Sequence, residues 1–148
     1  MRNETILEKS YQRSVLLNTA PQKAFEALTN EISKWWGDTY LSAQKVGDTF
    51  KVSWGEPYYQ FEVTQLKPNE KIVWDCIDCN QIHEGLEGIE KEWVGTKLFW
   101  TIEDMANGQT RVSLLHEGLV PSFICYDVCH SGWDHFIKDS LKNYLEGN

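Results

Sequence analysis

Residues 132–146 read GWDHFIKDSLKNYLE, and this stretch decides the fold. Its mixture of apolar and polar residues is typical of an amphipathic helix that buries one face and exposes the other. The apolar residues recur close to the helical period of about 3.6 and would form one stripe, made of Trp133, Ile137, Leu141 and Tyr144. A proline and a serine at 121–122 favour an earlier start, so the predicted helix extends over 121–145. Such a stripe needs an apolar surface to pack against.

The segments before the helix supply that surface, because their apolar residues alternate with polar ones as in strands with one buried face. The predicted strands cover 11–18, 47–54, 58–66, 71–77, 93–104 and 110–118. Between the first two, "TAPQKAFEALTN" predicts a helix in which Thr19 caps, Gln22 completes a capping box and Pro21 lies in the first turn. A second short helix follows over "EISKWW". This order predicts an α+β fold: a curved antiparallel sheet of about six strands wraps around a long C-terminal helix, with two short helices after strand one.

Length and composition indicate one globular domain with an acidic surface. The 148 residues correspond to a single domain, 1–148, with a core over about 10–146. A net charge of −8 without a basic patch argues against nucleic acid and anionic membranes as partners. The N-terminus lacks the apolar region of a signal peptide, and no apolar run reaches the roughly 18 residues that span a bilayer. We therefore expect a cytoplasmic protein.

Several stretches, taken in their order and spacing, carry a resemblance that covers nearly the whole chain. They are APQKAFEALTN (20–30), WWG (35–37), VGDTFKVSW (46–54), VTQLKPNEKIVWDC (63–76) and the terminal GWDHFIKDSLKNYLE. Together they resemble the START-like superfamily, also called SRPBCC, birch-pollen-allergen-like or helix-grip, and within it the branch named after the activator of heat-shock-protein ATPase. The resemblance implies a helix-grip fold with a cavity between the sheet and the C-terminal helix. It implies no cofactor, and since members of the branch bind varied partners, the fold does not fix the function.

The inward faces of the strands and of the helix supply a candidate ligand site: Trp54, Tyr59, Trp74, Trp100, His116, Cys129 and Trp133. Aromatic rings that leave space between them suit a small apolar or aromatic molecule, and polar tips such as those of Tyr59 and His116 would orient it. The same rings also suit a filled core, in which they pack only against one another. Both interpretations stay open at the level of sequence.

Two further functions are compatible with the chain. A protein-interaction module, like a co-chaperone domain, would use Trp35 and Trp36 as part of an exposed docking patch, although such a pair is also typical of a core corner or a cavity rim. An enzyme would use His116 as general acid or base, because its unperturbed pKa lies near neutrality. No base–nucleophile pair and no phosphate-binding loop accompanies it. We expect ligand binding ahead of either alternative.

The cysteines and the acidic segment 78–92 each have two interpretations. Pairs at 76/79 and 125/129 have spacings found in zinc sites, but core-like positions favour reduced, inert thiols, and a redox or disulfide role is the remaining option. We predict no metal and no cofactor. The segment 78–92 is predicted to be a loop that either only connects two strands or forms a lid, with Gly85 and Gly88 as hinges.

Overall fold

The structure is a computed structural model that describes residues 8–41 and 43–147. Its sheet contains seven strands: β1 (Tyr11–Leu17), β2 (Asp38–Leu41), β3 (Thr49–Ser53), β4 (Tyr58–Lys67), β5 (Lys71–Asn80), β6 (Lys97–Asp104) and β7 (Thr110–Glu117). Every neighbouring pair is antiparallel, and the order across the sheet is β1-β7-β6-β5-β4-β3-β2. The predicted α+β class and the antiparallel meander are confirmed.

Strand β2 is the seventh strand, where the sequence predicted about six. Its four residues show no alternation of buried and exposed positions, so the pattern that revealed the other strands is missing here. It forms the edge of the sheet by pairing with β3 alone. Two register shifts in β4, at Gln60/Phe61 and Val63/Gln65, interrupt its pairing with β5. Such bulges bend a strand and increase its twist, which lets the sheet curve around a helix.

Helix α1 (Pro21–Thr29) and a 3₁₀ turn (Ile32–Lys34) follow β1, as predicted. The predicted cap is wrong, because Ala20 occupies the N-cap position and no side chain bonds to the first turn. The Thr19 carbonyl instead accepts a hydrogen bond from Thr110 Oγ1 at 2.7 Å, which fixes the end of β1 to β7. Pro21 lies in the first turn, where its missing N–H costs nothing.

The C-terminal helix consists of α2 (Tyr126–Asp134), a π-helical segment (His135–Leu141) and α3 (Lys142–Glu146), which continue without interruption. We call these three together the grip helix. It begins at Tyr126 and not at 121, because the Glu92 carboxylate accepts the backbone N–H groups of Ile124 (2.7 Å) and Cys125 (3.0 Å). A carboxylate at this position satisfies donors that a helix N-terminus leaves free.

The buried stripe of the grip helix repeats every four residues: Cys125, Cys129, Trp133, Ile137 and Leu141. An α-helix turns by about 100° per residue, so each four-residue step overshoots one turn by about 40°. In the π-helical segment the bonds join residues five apart, and four residues fall short of a turn. The two deviations offset each other, which keeps all five side chains on the sheet side. Tyr144, which a strict 3.6-residue period placed on the stripe, is only half-buried.

The concave face of the sheet and the grip helix enclose one aromatic core. Phe50 pairs with Phe61 across β3 and β4, and Val63 pairs with Trp74 across β4 and β5. All four are fully buried. Across residues 8–41 and 43–147, the helices are too short or too polar to cross a membrane.

Candidate ligand cavity

A cavity of about 270 Å³ lies between the sheet and the first half of the grip helix. Four parts of the chain enclose it: Trp36 after the 3₁₀ turn, the ends of β3 and β4, the grip helix, and residues 81–96, which we call the cover segment. The lining residues are Trp36, Trp54, Pro57, Tyr59, Gln81, Ile82, His83, Ile89, Trp93, Cys125, Val128, Cys129, Gly132, Trp133 and Phe136. Trp54, Ile82 and Val128 are the exposed apolar members of this set, so they border its opening to solvent.

Aromatic rings form the walls of the cavity. Trp93 stacks on Tyr59 with ring centroids 4.0 Å apart and on Trp133 at 5.8 Å. Trp36 lies 4.9 Å from Trp133 and closes the inner side, while Trp54 packs edge-on against Trp36 at 5.8 Å. Aromatic walls of this kind suit flat apolar molecules.

A buried amide, that of Gln81, provides the polar group in this wall. Its Oε1 accepts hydrogen bonds from the Tyr59 hydroxyl (2.8 Å) and the Cys129 thiol (3.2 Å), and its Nε2 donates to the Ile89 carbonyl (2.9 Å). Burial raises the pKa of Tyr59 well above its usual value, so this hydroxyl remains a neutral donor. The amide also has a second N–H, which makes it the point where a bound molecule would be oriented.

The cover segment differs from the loop predicted over 78–92. Strand β5 continues to Asn80, and the predicted strand over 93–104 starts only at Lys97, so the connection runs from 81 to 96. Consequently Trp93, expected on a strand, lies in a turn and enters the cavity wall. Glu92 of the same segment holds the start of the grip helix, which connects the two elements that border the cavity.

Four of the seven predicted site residues line the cavity: Trp54, Tyr59, Cys129 and Trp133. The other three, Trp74, Trp100 and His116, are fully buried beneath the cavity wall and do not line it. Trp36 separates Trp74 from the cavity by stacking on it at 6.3 Å. Trp133 covers Trp100 edge-on at 5.8 Å. The structure therefore brings together the outer members of the predicted set and places the inner members in a filled core.

His116 has partners on both ring nitrogens. Its Nδ1 accepts from Trp133 Nε1 at 3.1 Å, so the proton resides on Nε2, which donates to Thr96 Oγ1 at 2.9 Å. The Thr96 hydroxyl in turn donates a hydrogen bond to the Trp93 carbonyl oxygen at 2.7 Å. Burial lowers the pKa of His116 to about 3, which keeps the ring neutral. His116 thus supports Trp133 and Trp93 from behind, out of reach of a molecule in the cavity.

Trp35 and Trp36, expected in an exposed docking patch, are both buried. Trp35 donates its Nε1–H to the Ala27 carbonyl at 2.7 Å and stacks on Trp36 at 5.7 Å. This pair therefore forms a corner of the core and the inner rim of the cavity. The geometry provides no docking surface at these two residues.

Gln81, Trp93, Cys125 and Gly132 were absent from the predicted site. Gln81 lies in a segment without periodicity, so no pattern could assign it a direction, and Trp93 was assigned to a predicted strand that starts only at Lys97. Cys125 could have been found, because it precedes Cys129, Trp133 and Ile137 at the same four-residue interval. Within residues 8–41 and 43–147, no three His, Cys, Asp or Glu side chains are grouped so that they could hold a metal ion.

An antiparallel sheet that wraps around a long C-terminal helix, with an apolar cavity between them, defines the helix-grip class of proteins. Residues 18–146 match the model of the family described as "Activator of Hsp90 ATPase homolog 1-like protein", and the chain belongs to this AHSA1 family. The resemblance seen in the sequence is confirmed.

Solved structures agree with this assignment, although no curated protein matches the sequence. The solution structure of the Aha1 dimer from Colwellia psychrerythraea is 26% identical, with a TM-score of 0.74 over 95% of this chain and 97% of that one. A protein from Mesorhizobium loti shares 20% identity, with a TM-score of 0.71 over 91% and 96% of the two chains. An HSP90 activator from Plasmodium falciparum shares 16%, with 0.64 over 87% and 90%. The last two support the fold alone.

Proposed function

We propose that the protein binds a small apolar or aromatic molecule in the cavity between the sheet and the grip helix. The observation that carries this proposal is an aromatic-walled space of about 270 Å³ that contains one buried amide, Gln81. Ligand sites typically combine apolar walls with a few polar groups that fix orientation. A core selected only for packing would fill this volume, since protein interiors are close-packed.

The volume and the lining narrow the class of ligand. A cavity of about 150 Å³ holds benzene, and drug-sized ligands occupy roughly 300–1,000 Å³. A volume of about 270 Å³ therefore suits one ring or two fused rings. No Lys, Arg, Asp or Glu is among the described lining residues, so a neutral molecule is expected. One acceptor oxygen on the ligand, such as that of a hydroxyl group, would accept the second N–H of Gln81.

Titration with 2-naphthol, a neutral two-ring phenol, tests the proposal. Binding should quench tryptophan fluorescence and shift the amide and indole resonances of Trp93 and Trp133 in ¹H–¹⁵N spectra. For a ligand of about ten heavy atoms, an affinity on the order of 0.1 mM is expected. A long-chain fatty acid serves as a size control and should produce no saturable shift at these residues.

Gly132→Leu provides the matched cavity variant. Gly132 lines the cavity, and a Cβ there would have no atom within 4 Å, so a leucine extends into the empty volume. We expect this variant to remain folded and to lose 2-naphthol binding at least tenfold, while Gly132→Ala binds within about threefold of the original chain. Unchanged binding in folded Gly132→Leu would place the ligand elsewhere, and no saturable shift with any neutral ring compound would refute the proposal.

Neither alternative function gains a supporting observation. The protein-interaction hypothesis relied on exposure of Trp35 and Trp36, and both are buried. The enzyme hypothesis relied on His116, whose two nitrogens are occupied by Trp133 and Thr96 outside the cavity. Ligand binding is therefore the single function that we put forward.

A further inference from the structure

Two thiols of the grip helix, those of Cys125 and Cys129, lie side by side in the cavity wall. Their Sγ atoms are 2.6 Å apart, close to the roughly 2.05 Å of a disulfide bond. Both are reduced, and their exposed fractions are only 1% and 8%. Because both residues line the cavity, a small molecule inside it lies against them.

The two sulfur atoms are not equivalent. The single Cys129 proton is shared between Cys125 Sγ at 2.6 Å and Gln81 Oε1 at 3.2 Å, and its hydrogen bond to Cys125 lowers the pKa of the Cys125 thiol while raising that of Cys129. Cys125 also occupies the N-cap position of the grip helix, where the helix dipole favours a thiolate. The Glu92 carboxylate at the same helix end opposes this effect. The arrangement gives one nucleophilic sulfur and one proton-bearing neighbour.

We propose that Cys125 and Cys129 form a redox-active dithiol, which a small hydroperoxide that enters the cavity oxidises to a disulfide within the grip helix. This activity is independent of the ligand-binding function proposed above. It assigns Cys125 as the attacking thiol and Cys129 as the resolving thiol.

The chemistry takes two steps. The Cys125 thiolate attacks one peroxide oxygen, the O–O bond breaks, an S–O bond forms, and the leaving hydroxide takes up a proton as water. The Cys129 sulfur then attacks the sulfenic acid: the S–S bond forms, the S–O bond breaks, and the second oxygen leaves as water with the Cys129 proton. Two thiols lose two electrons and two protons, and hydrogen peroxide becomes two waters.

The helix geometry permits this closure. Cβ atoms four residues apart on a helix are separated by about 5–6 Å, whereas a disulfide requires about 3.5–4.5 Å. Only a small approach is needed, and Cys125 lies at the N-cap, where one side of the backbone is outside the helix. The size of the cavity selects the oxidant, because a peroxide fits and a protein disulfide does not.

Oxidation would also change the cavity wall. The Cys129 thiol donates to Gln81 Oε1 and accepts the Trp93 Nε1–H at 3.3 Å. A disulfide has no S–H, so Gln81 would keep Tyr59 as its donor at Oε1 and lose Cys129. Trp93, in contact with the reacting sulfur, therefore acts as an optical reporter of the reaction.

Cys76 and Cys79 on β5 provide an internal control. A hydrogen bond from Cys76 also lowers the pKa of Cys79, so polarisation alone does not distinguish the two pairs. They differ in access, because neither Cys76 nor Cys79 lines the cavity, and the Cys79 thiol donates to the Glu90 carbonyl (3.2 Å).

The test uses the full chain, reduced and freed of thiols, then treated with hydrogen peroxide and sampled over time. Intact mass should fall by two hydrogen atoms, with a change in tryptophan fluorescence at the same rate, and dithiothreitol should reverse both. Peptide mapping without reduction should recover the 125–129 link in the unmodified sequence, a result that does not depend on any variant.

Variants assign the roles. Cys76→Ser/Cys79→Ser should react like the original chain, and Cys125→Ser/Cys129→Ser should lose the mass change. Cys129→Ser should accumulate a sulfenic acid that a cyclic 1,3-diketone traps, and Cys125→Ser should be trapped at least tenfold more slowly. A disulfide mapped to 76–79, oxidation that proceeds only after denaturation, or equal trapping of both single variants would overturn the proposal.

Discussion

The aromatic core has two halves that share one sheet and one helix but are packed differently. The inner half, around Trp74 and Trp100, is filled, whereas the outer half, around Trp93 and Trp133, encloses about 270 Å³. The rings are equally large in both halves, so ring size does not explain the difference. The grip helix contributes to it: Ile137 and Leu141 are buried away from the cavity, whereas the cavity is lined by three small helix residues, Cys125, Cys129 and Gly132, beside the larger Val128, Trp133 and Phe136. The small residues leave space between the large ones.

The two halves also treat their indole N–H groups differently. Around the cavity, Trp93 donates to Cys129 and Trp133 donates to His116. In the filled half, Nε1 of Trp74 and Nε1 of Trp100 are the buried side-chain polar atoms of the described residues that lack a partner. In the filled half, the close packing of the rings offsets the energetic penalty of two unpaired N–H donors.

The largest expected difference between the halves is in the free energy of unfolding when one aromatic ring is removed from each. Trp100→Ala removes a fully buried ring and leaves a void, which should lower the free energy of unfolding by about 3–5 kcal/mol. Trp54→Ala removes a ring at the cavity mouth that is 38% exposed, and about 1–2 kcal/mol is expected. Urea unfolding followed by circular dichroism measures both.

Trp100→Phe serves as the control for ring loss. It retains most of the buried area and removes an unpaired N–H, so its cost should be clearly smaller than that of Trp100→Ala. Equal losses for Trp100→Ala and Trp54→Ala would show that the two halves are not energetically distinct.

The sequence predicted the walls of the core better than its division into halves. Alternation along the strands correctly directed Phe50, Val52 and Trp100 inwards, because a strand has only two faces. Which rings border empty space depends on the phase of the grip helix. The π-helical segment alters that phase, and a fixed period of about 3.6 residues cannot anticipate it.

The polar part of the cavity could not be predicted from sequence periodicity for another reason. Gln81 and Trp93 lie in the cover segment, whose path is set by contacts distant in sequence, such as those of Glu92 with the start of the grip helix. Local propensity carries no information on these contacts. The four-residue spacing from Cys125 to Leu141 was visible in the sequence and would have indicated the true stripe.

The next largest effect is the dependence of the free energy of unfolding on pH. It arises from His116, which supports Trp133 between the two halves. Its pKa is about 3 in the folded chain and about 6.5 when unfolded, so the unfolded state binds the proton first as pH falls. The contribution of neutral His116 to stability is thus fully present above pH 6.5 and is lost as the pH falls from 6.5 towards 3. Between pH 7.5 and 4.5 the free energy of unfolding should decrease by about 2–3 kcal/mol.

Urea titrations at several pH values measure this slope, and His116→Gln isolates it. The glutamine amide can accept from Trp133 and donate to Thr96 but does not titrate, so the variant should lose most of the decrease over this range. A slope in His116→Gln that equals that of the original chain would assign the pH dependence to other groups.

The smallest expected effect concerns Gly132, the helix position that faces the cavity. Gly132→Ala adds a methyl group that meets no atom within 4 Å, and it replaces glycine by the best helix former. The free energy of unfolding should therefore rise by about 0.5–1 kcal/mol. Gly147→Ala, at the end of the same helix, is the matched control, because its Cβ would collide with the Asn143 carbonyl oxygen and no gain is expected. Thermal unfolding of both variants measures these changes. A loss of stability in Gly132→Ala would mean that the helix and the sheet are in contact at this position. The cavity next to Gly132 would then not exist.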